Sequence, residues 1–225
     1  LGTDRPIRRP SVVTPALILL CTAAYVVQVM LKGSGREDEL LSQLWVIGGE
    51  GGVAGTGASR AVTYAFRHGG LLHLAGNMLF LWVFGRPVED RLGRLGFLMF
   101  YLGGAAAGGL VHAWLEPGPA IGASGAVSAV TGAFLVLFPR TKIRVLWFFI
   151  LISILMAPAW FFIGLQIAWN VLAETTGSTG NIAVTAHLGG YAFGFGVAAV
   201  LLATGAISRE PYDLFSISKH AKRRR

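Results

Sequence analysis

Gly122-Ala123-Ser124-Gly125-Ala126-Val127-Ser128-Ala129-Val130-Thr131-Gly132-Ala133-Phe134-Leu135-Val136-Leu137-Phe138 is an uncharged apolar run rich in small residues. Lipid removes most of the hydrophobic drive between helices, so close approach through small residues takes its place. The run reads as a helix packed inside a membrane bundle. It opens with one chemically able side chain, Ser124.

The rest of the chain agrees with that reading. Of 225 residues, 54% are hydrophobic and 13% charged, where a soluble domain carries about 25% charge. The mean hydropathy is +0.62. Six apolar segments can be drawn, at residues 13–31, 70–84, 95–115, 122–138, 145–167 and 182–204. Most approach the roughly 20 residues a bilayer helix needs. The expected fold class is all-α, a polytopic membrane protein of six transmembrane helices. The expected organisation is an N-terminal segment at residues 1–12, a membrane domain at 13–204 and a basic tail at 205–225. The first segment is too long for a cleaved secretory leader and reads as a retained span. The chain starts at Leu1 rather than Met, so upstream residues are expected.

Residues 32–67 form a long connection. It begins with Arg36-Glu37-Asp38-Glu39 and continues with Leu40, Leu41, Leu44, Trp45, Val46 and Ile47 at a spacing that suits an interfacial helix. Residues 48–57 are glycine-rich.

Charge placement sets the orientation. Arg5, Arg8, Arg9, Arg86, Arg91, Arg94, Arg140, Lys142, Arg144, Arg209, Lys219, Lys222, Arg223, Arg224 and Arg225 fall on the N-terminal side of a six-span model. Only Lys32, Arg36, Arg60 and Arg67 fall on the other. Both termini are therefore expected in the cytoplasm. The net charge of +8 serves topology and anionic lipid rather than nucleic acid. Cys21 is the single cysteine, which excludes an intramolecular disulfide and a cysteine metal site.

Ser124 lies near the outer start of the fourth segment, and His187 near the outer start of the sixth. His73 and Asn77 lie in the outer half of the second, and their i, i+4 spacing puts them on one helix face. Taken singly, each has a bland reading as helix glue. Together, three helices place Ser, His, His and Asn at one depth, and ionisable groups in lipid point to function. A serine hydroxyl becomes a nucleophile when a positioned base takes its proton, and His187 can be that base. Asn77, the His73 ring N–H and the Ser124 backbone N–H can supply donors for an oxyanion. With no Asp or Glu at this depth, a Ser-His dyad is the consistent reading. His73 and His187 lack an acidic third ligand for a metal, and no cofactor is implied.

His68-Gly69-Gly70-Leu71-Leu72-His73-Leu74-Ala75-Gly76-Asn77, Gly122-Ala123-Ser124-Gly125, Ala186-His187 with Gly190 and Gly194, and Val88-Glu89-Asp90-Arg91-Leu92-Gly93 occur in order across residues 13–204. In this the chain resembles the rhomboid intramembrane serine proteases in their basic six-span bacterial form. The resemblance implies nucleophile Ser124, base His187, and oxyanion donors His73 and Asn77. It implies transmembrane or membrane-anchored protein substrates, and a bacterial inner membrane as the setting. It also implies a membrane-dipping 32–67 connection, and a lateral gate and cap formed by segment five and residues 169–181. Two positions depart from the family pattern. Ser59-Arg60 stands where Trp-Arg is usual, and Ser128 stands where an aromatic usually packs on the catalytic histidine. The alternative is a non-catalytic scaffold that binds membrane helices. A solute transporter is disfavoured, because inverted repeats and a midplane charge are missing from the sequence. Neither substrate identity nor oligomeric state is legible.

Overall fold

The computed structural model describes residues 2–5, 7–32, 46–47, 59–116, 118–147, 153–177 and 183–217. Six helices dominate: α1 (Val13–Lys32), α2 (Leu71–Leu92), α3 (Arg94–Leu115), α4 (Ser124–Leu137), α5 (Ala159–Thr176) and α6 (Val184–Thr204). Four of them, α1, α2, α3 and α6, are long and apolar enough to cross a membrane by length and composition. The shorter α4 and the more polar α5 complete a helical membrane bundle. Leu19, Met30, Leu95, Leu165, Trp169 and Val200 stay exposed on its outside, as expected of side chains whose solvent is lipid.

Four of the six predicted segments match helices to within a few residues, and the second starts as expected but runs on to Leu92. The fifth does not. Residues 142–158 form an antiparallel hairpin, β4 (Lys142–Trp147) with β5 (Ser153–Pro158), and α5 starts only at Ala159. The bundle is helical as expected, and the hairpin replaces only the first part of the fifth segment. Hydropathy alone cannot separate an apolar β-branched and aromatic run from a helix. Pro158 marks the true boundary, since its extended backbone (ψ 143°) precedes the first helical residue. Short strands occur elsewhere as well. β1 (Gly2–Thr3) adds to β4, and β2 (Val46–Ile47) pairs with β3 (Pro119–Ala120). Val46 and Ile47, expected in an interfacial helix, form a strand instead, and the other residues of that expected helix lie outside the described set.

Helix α4 is the centre of the bundle. Every residue from Gly125 to Phe134 is buried, which is the burial a helix apolar on all sides requires. Its most extensive partner is α6. A Cβ on Gly190 would collide with the Gly125 carbonyl, and one on Gly194 with the Ala129 carbonyl. Two backbones thus meet directly, and no side chain larger than hydrogen fits between them. Helix α2 is continuous but contains a π-helical turn at Leu81–Gly85. Pro87 follows it, and a proline removes one helical donor and crowds the preceding turn.

The segments assigned by charge to one side of the membrane do assemble on one face. Arg5 pairs with Glu210 (3.3 Å), Arg8 with Glu210 (3.2 Å) and Arg91 with Glu210 (2.7 Å). The Arg9 backbone N–H donates to Asp90 (3.0 Å). Burial pulls the Arg5 guanidinium below its ordinary pKa, while Glu210 acts in the opposite sense. Glu89 accepts from the N–H groups of Val12, Val13 and Thr14 and from the Thr14 hydroxyl, at 2.7–2.8 Å. A carboxylate from α2 thus caps the start of α1 and satisfies its orphan donors.

Candidate active site

The loop before Ser124 is held on several sides. The Gly122 N–H donates to the Tyr64 carbonyl (3.0 Å), and β3 ties residues 119–120 to Val46–Ile47. Gly122 has φ +117°, and a Cβ there would stand 2.7 Å from His73 Nε2. Glycine is required on both counts. Ser124 is the first residue of α4, so its N–H has no partner within the helix.

The helix starts that carry Ser124 and His187 are in contact. A Cβ on Gly125 would lie 3.5 Å from the Ala186 carbonyl, and Gly190 abuts Gly125. The first turns of α4 and α6 therefore lie against each other. His73 reaches the same place from α2. Its ring faces Gly122. His73 Nδ1 accepts from the Gly69 N–H (3.4 Å), so the ring hydrogen sits on Nε2, the nitrogen facing the Gly122 loop. Asn77 Nδ2 donates to the His73 carbonyl (3.0 Å) and keeps its second hydrogen. His73 and Asn77 of α2 thus face the Gly122 loop that leads into Ser124, and the first turn of α6, which carries His187, lies against the first turn of α4.

The sequence reading missed a fifth. Asn170 on α5 is buried, and its Oδ1 lies 2.8 Å from His187 Nδ1. Its Nδ2 donates to the Gln166 carbonyl (2.7 Å), which fixes the orientation of the amide. An amide oxygen only accepts, so His187 Nδ1 carries the hydrogen and Nε2 keeps its lone pair. An amide oxygen can hold a histidine as a carboxylate does, so the lack of Asp or Glu at this depth does not leave His187 without an orienting partner. The available signal was a polar residue in an apolar helix, and it was hidden by placing the fifth span too early. The usual aromatic partner of the histidine is absent, and Ser128 lies beside Tyr191 of α6 instead. Among the described residues, no group of three or more His, Cys, Asp or Glu is placed to hold a metal.

Comparison with known proteins agrees with the fold. Residues 56–204 match the Rhomboid domain family model, which covers more than half of the chain. The chain belongs to the rhomboid family, and it is a multi-pass integral membrane protein. It is 37% identical over 139 residues to Rhomboid protein 1, mitochondrial, of Saccharomyces cerevisiae, covering 58% of this chain and 38% of that protein. It is 40% identical over 76 residues to Rhomboid protease GluP of Bacillus subtilis, covering 34% and 15% respectively. It is 30% identical over 150 residues to RHOMBOID-like protein 12, mitochondrial, of Arabidopsis thaliana, covering 58% and 43%. The chain spans less than half the length of each of these relatives.

Proposed function

We propose that this chain is an intramembrane serine endopeptidase that cleaves transmembrane or membrane-anchored proteins. Ser124 is the nucleophile and His187 the general base. Asn170 holds His187 in the tautomer that leaves Nε2 free to take the serine proton. His73 Nε2–H, the free hydrogen of Asn77 Nδ2 and the Ser124 N–H stabilise the oxyanion. As the tetrahedral intermediate collapses, the His187 imidazolium gives its proton to the leaving amine and the acyl-enzyme forms. His187 then takes a proton from the water that hydrolyses the acyl-enzyme, and the proton returns to Ser124. No cofactor is needed. The observation that carries this reading is the Asn170–His187 hydrogen bond beside the start of α4. A group that merely packs helices has no need of a fixed tautomer. The basic face is assigned to the cytoplasm of a bacterium, with the site in the outer half of the membrane. Residues 13–204 are the catalytic domain, flanked by a cytoplasmic segment and a basic tail.

The test is fluorophosphonate labelling of the purified protein in detergent, paired with cleavage of a single-span model substrate. Labelling and cleavage that both vanish in Ser124→Ala support the enzyme. A wild-type protein that binds the substrate helix, resists the probe and leaves the substrate intact would assign the chain to the non-catalytic alternative.

A further inference from the structure

His112, Glu116 and Thr185 form a polar bracket that none of the catalytic roles above requires. His112, near the end of α3, is buried. Its Nδ1 lies 3.1 Å from the Thr185 hydroxyl, and its Nε2 lies 3.3 Å from the Gly118 carbonyl. The same hydroxyl donates to Glu116 Oε1 (2.9 Å). Thr185 is the second residue of α6, two positions before His187. Gly118 lies in the loop that leads to Ser124. One imidazole therefore joins the end of α3 to both segments that carry the proposed catalytic pair.

The start of α6 needs such a partner. Ala183 is its N-cap and supplies no side-chain bond. The first N–H groups of a helix are orphans and favour nearby negative charge. Glu116, the residue that ends α3, brings a carboxylate to that turn through Thr185. On a helix, residues two apart point about 200° from each other. Thr185 thus turns toward α3 while His187 turns toward α5, and the bracket acts on His187 through the backbone.

We propose that His112, Glu116 and Thr185 are positioning residues, which set the first turn of α6 and the Ser124 loop at one spacing. They touch neither substrate nor the reacting atoms. The inference rests on the protease reading. It predicts that loosening the bracket misplaces His187 against Ser124, and displacement of that kind can cost about 10²-fold in rate.

The experiment compares Thr185→Val, Thr185→Ser and His112→Ala in the full chain, in detergent and in liposomes. Thr185→Val keeps the shape and removes the hydroxyl, whereas Thr185→Ser keeps the hydroxyl. The expected result is slower fluorophosphonate labelling of Ser124 and lower kcat in Thr185→Val and His112→Ala. KM and the thermal unfolding midpoint of Thr185→Val should stay near wild type, and Thr185→Ser should recover most of the rate. Wild-type labelling in Thr185→Val overturns the proposal. So does equal loss in Thr185→Val and Thr185→Ser, which would mean that shape rather than the hydroxyl matters. Should His112→Ala fail to fold, the two Thr185 variants decide. Absence of labelling in the wild type would instead count against the protease reading, so the two failures are separable.

Discussion

Asn170 on α5 and His187 on α6 share a 2.8 Å hydrogen bond, with the Asn170 amide pinned from behind by the Gln166 carbonyl. Two helices adjacent in sequence thus cooperate in one imidazole tautomer. Asn170→Leu preserves bulk and removes the acceptor, so His187 becomes free to rotate or to protonate Nε2. The expected loss in kcat falls within the roughly 10²–10⁴ that a positioned general base contributes. Stopped assays of substrate cleavage would measure it, with substrate binding followed separately. Undiminished turnover in Asn170→Leu would leave His187 without a need for an orienting partner.

Ser124→Ala and His187→Ala should each abolish cleavage while leaving the bundle folded. Their losses should not add in the double variant, since nucleophile and base act as a unit. A double variant much slower than either single one would argue that the two residues work independently.

Loss of an oxyanion donor typically costs about 10²–10³ in rate. His73→Ala and Asn77→Ala should each lower kcat by less than that, because the remaining donors partly substitute, and the pair together should lose more. The readout is kcat against KM for a single-span substrate. A double variant with normal kcat would reduce both residues to helix packing.

Phe162 of α5 meets α2, with ring centroids 6.2 Å from Phe80 and 6.4 Å from Phe84. Trp160 and Phe161 are about half exposed, at 55% and 51%, and face away from that seam. Of the three aromatics, Phe162 is therefore the one whose shortening should speed cleavage of membrane-embedded substrates. Phe162→Ala should leave fluorophosphonate labelling of Ser124 unchanged, and Trp160→Ala and Phe161→Ala should do little. Equal effects from all three would point to bulk lipid contact instead of a gate.

Glu210 faces Arg5, Arg8 and Arg91, and its side chain is only 8% exposed. Glu210→Ala removes the carboxylate shared by the Arg5 and Arg91 guanidinium groups, each 7% exposed. Among the described residues, that leaves Arg5 with Asp90 at 3.9 Å and Arg91 with the Ser208 carbonyl. Removing one partner of a buried pair costs about 3–5 kcal/mol, so a clear drop in the thermal midpoint is expected. Ser124 labelling below that midpoint should persist, because this cluster lies at the opposite end of the bundle from the site. A Glu210→Ala protein with the wild-type midpoint would show that solvent replaces the pair.

The residues legible in sequence were those whose surroundings make them anomalous. Ser124, His187, His73 and Asn77 each interrupt an apolar run, and helical rise alone set them at a common depth. Asn170 interrupts a run as well, but the apolar stretch 145–167 reads as one span and puts it in a loop. Hydropathy counts apolar residues without regard to backbone state, whereas Pro158 and the β-branched run before it decide the register of α5. The Glu210 cluster was invisible for a different reason. Positive-inside reasoning sorts cations by side, but it says nothing of which carboxylate gathers them.

Helix α5 carries both Phe162, at the seam with α2, and Asn170, on the base. If substrates enter by swinging α5 away from α2, the motion that admits a substrate also releases His187 from its tautomer lock. Opening and chemical readiness then become successive states, and cleavage waits until the helix returns. An enzyme wired in this way is idle while its door is ajar. Its selectivity is set by how long a visitor stays once the door has closed, more than by how tightly the visitor binds at the threshold.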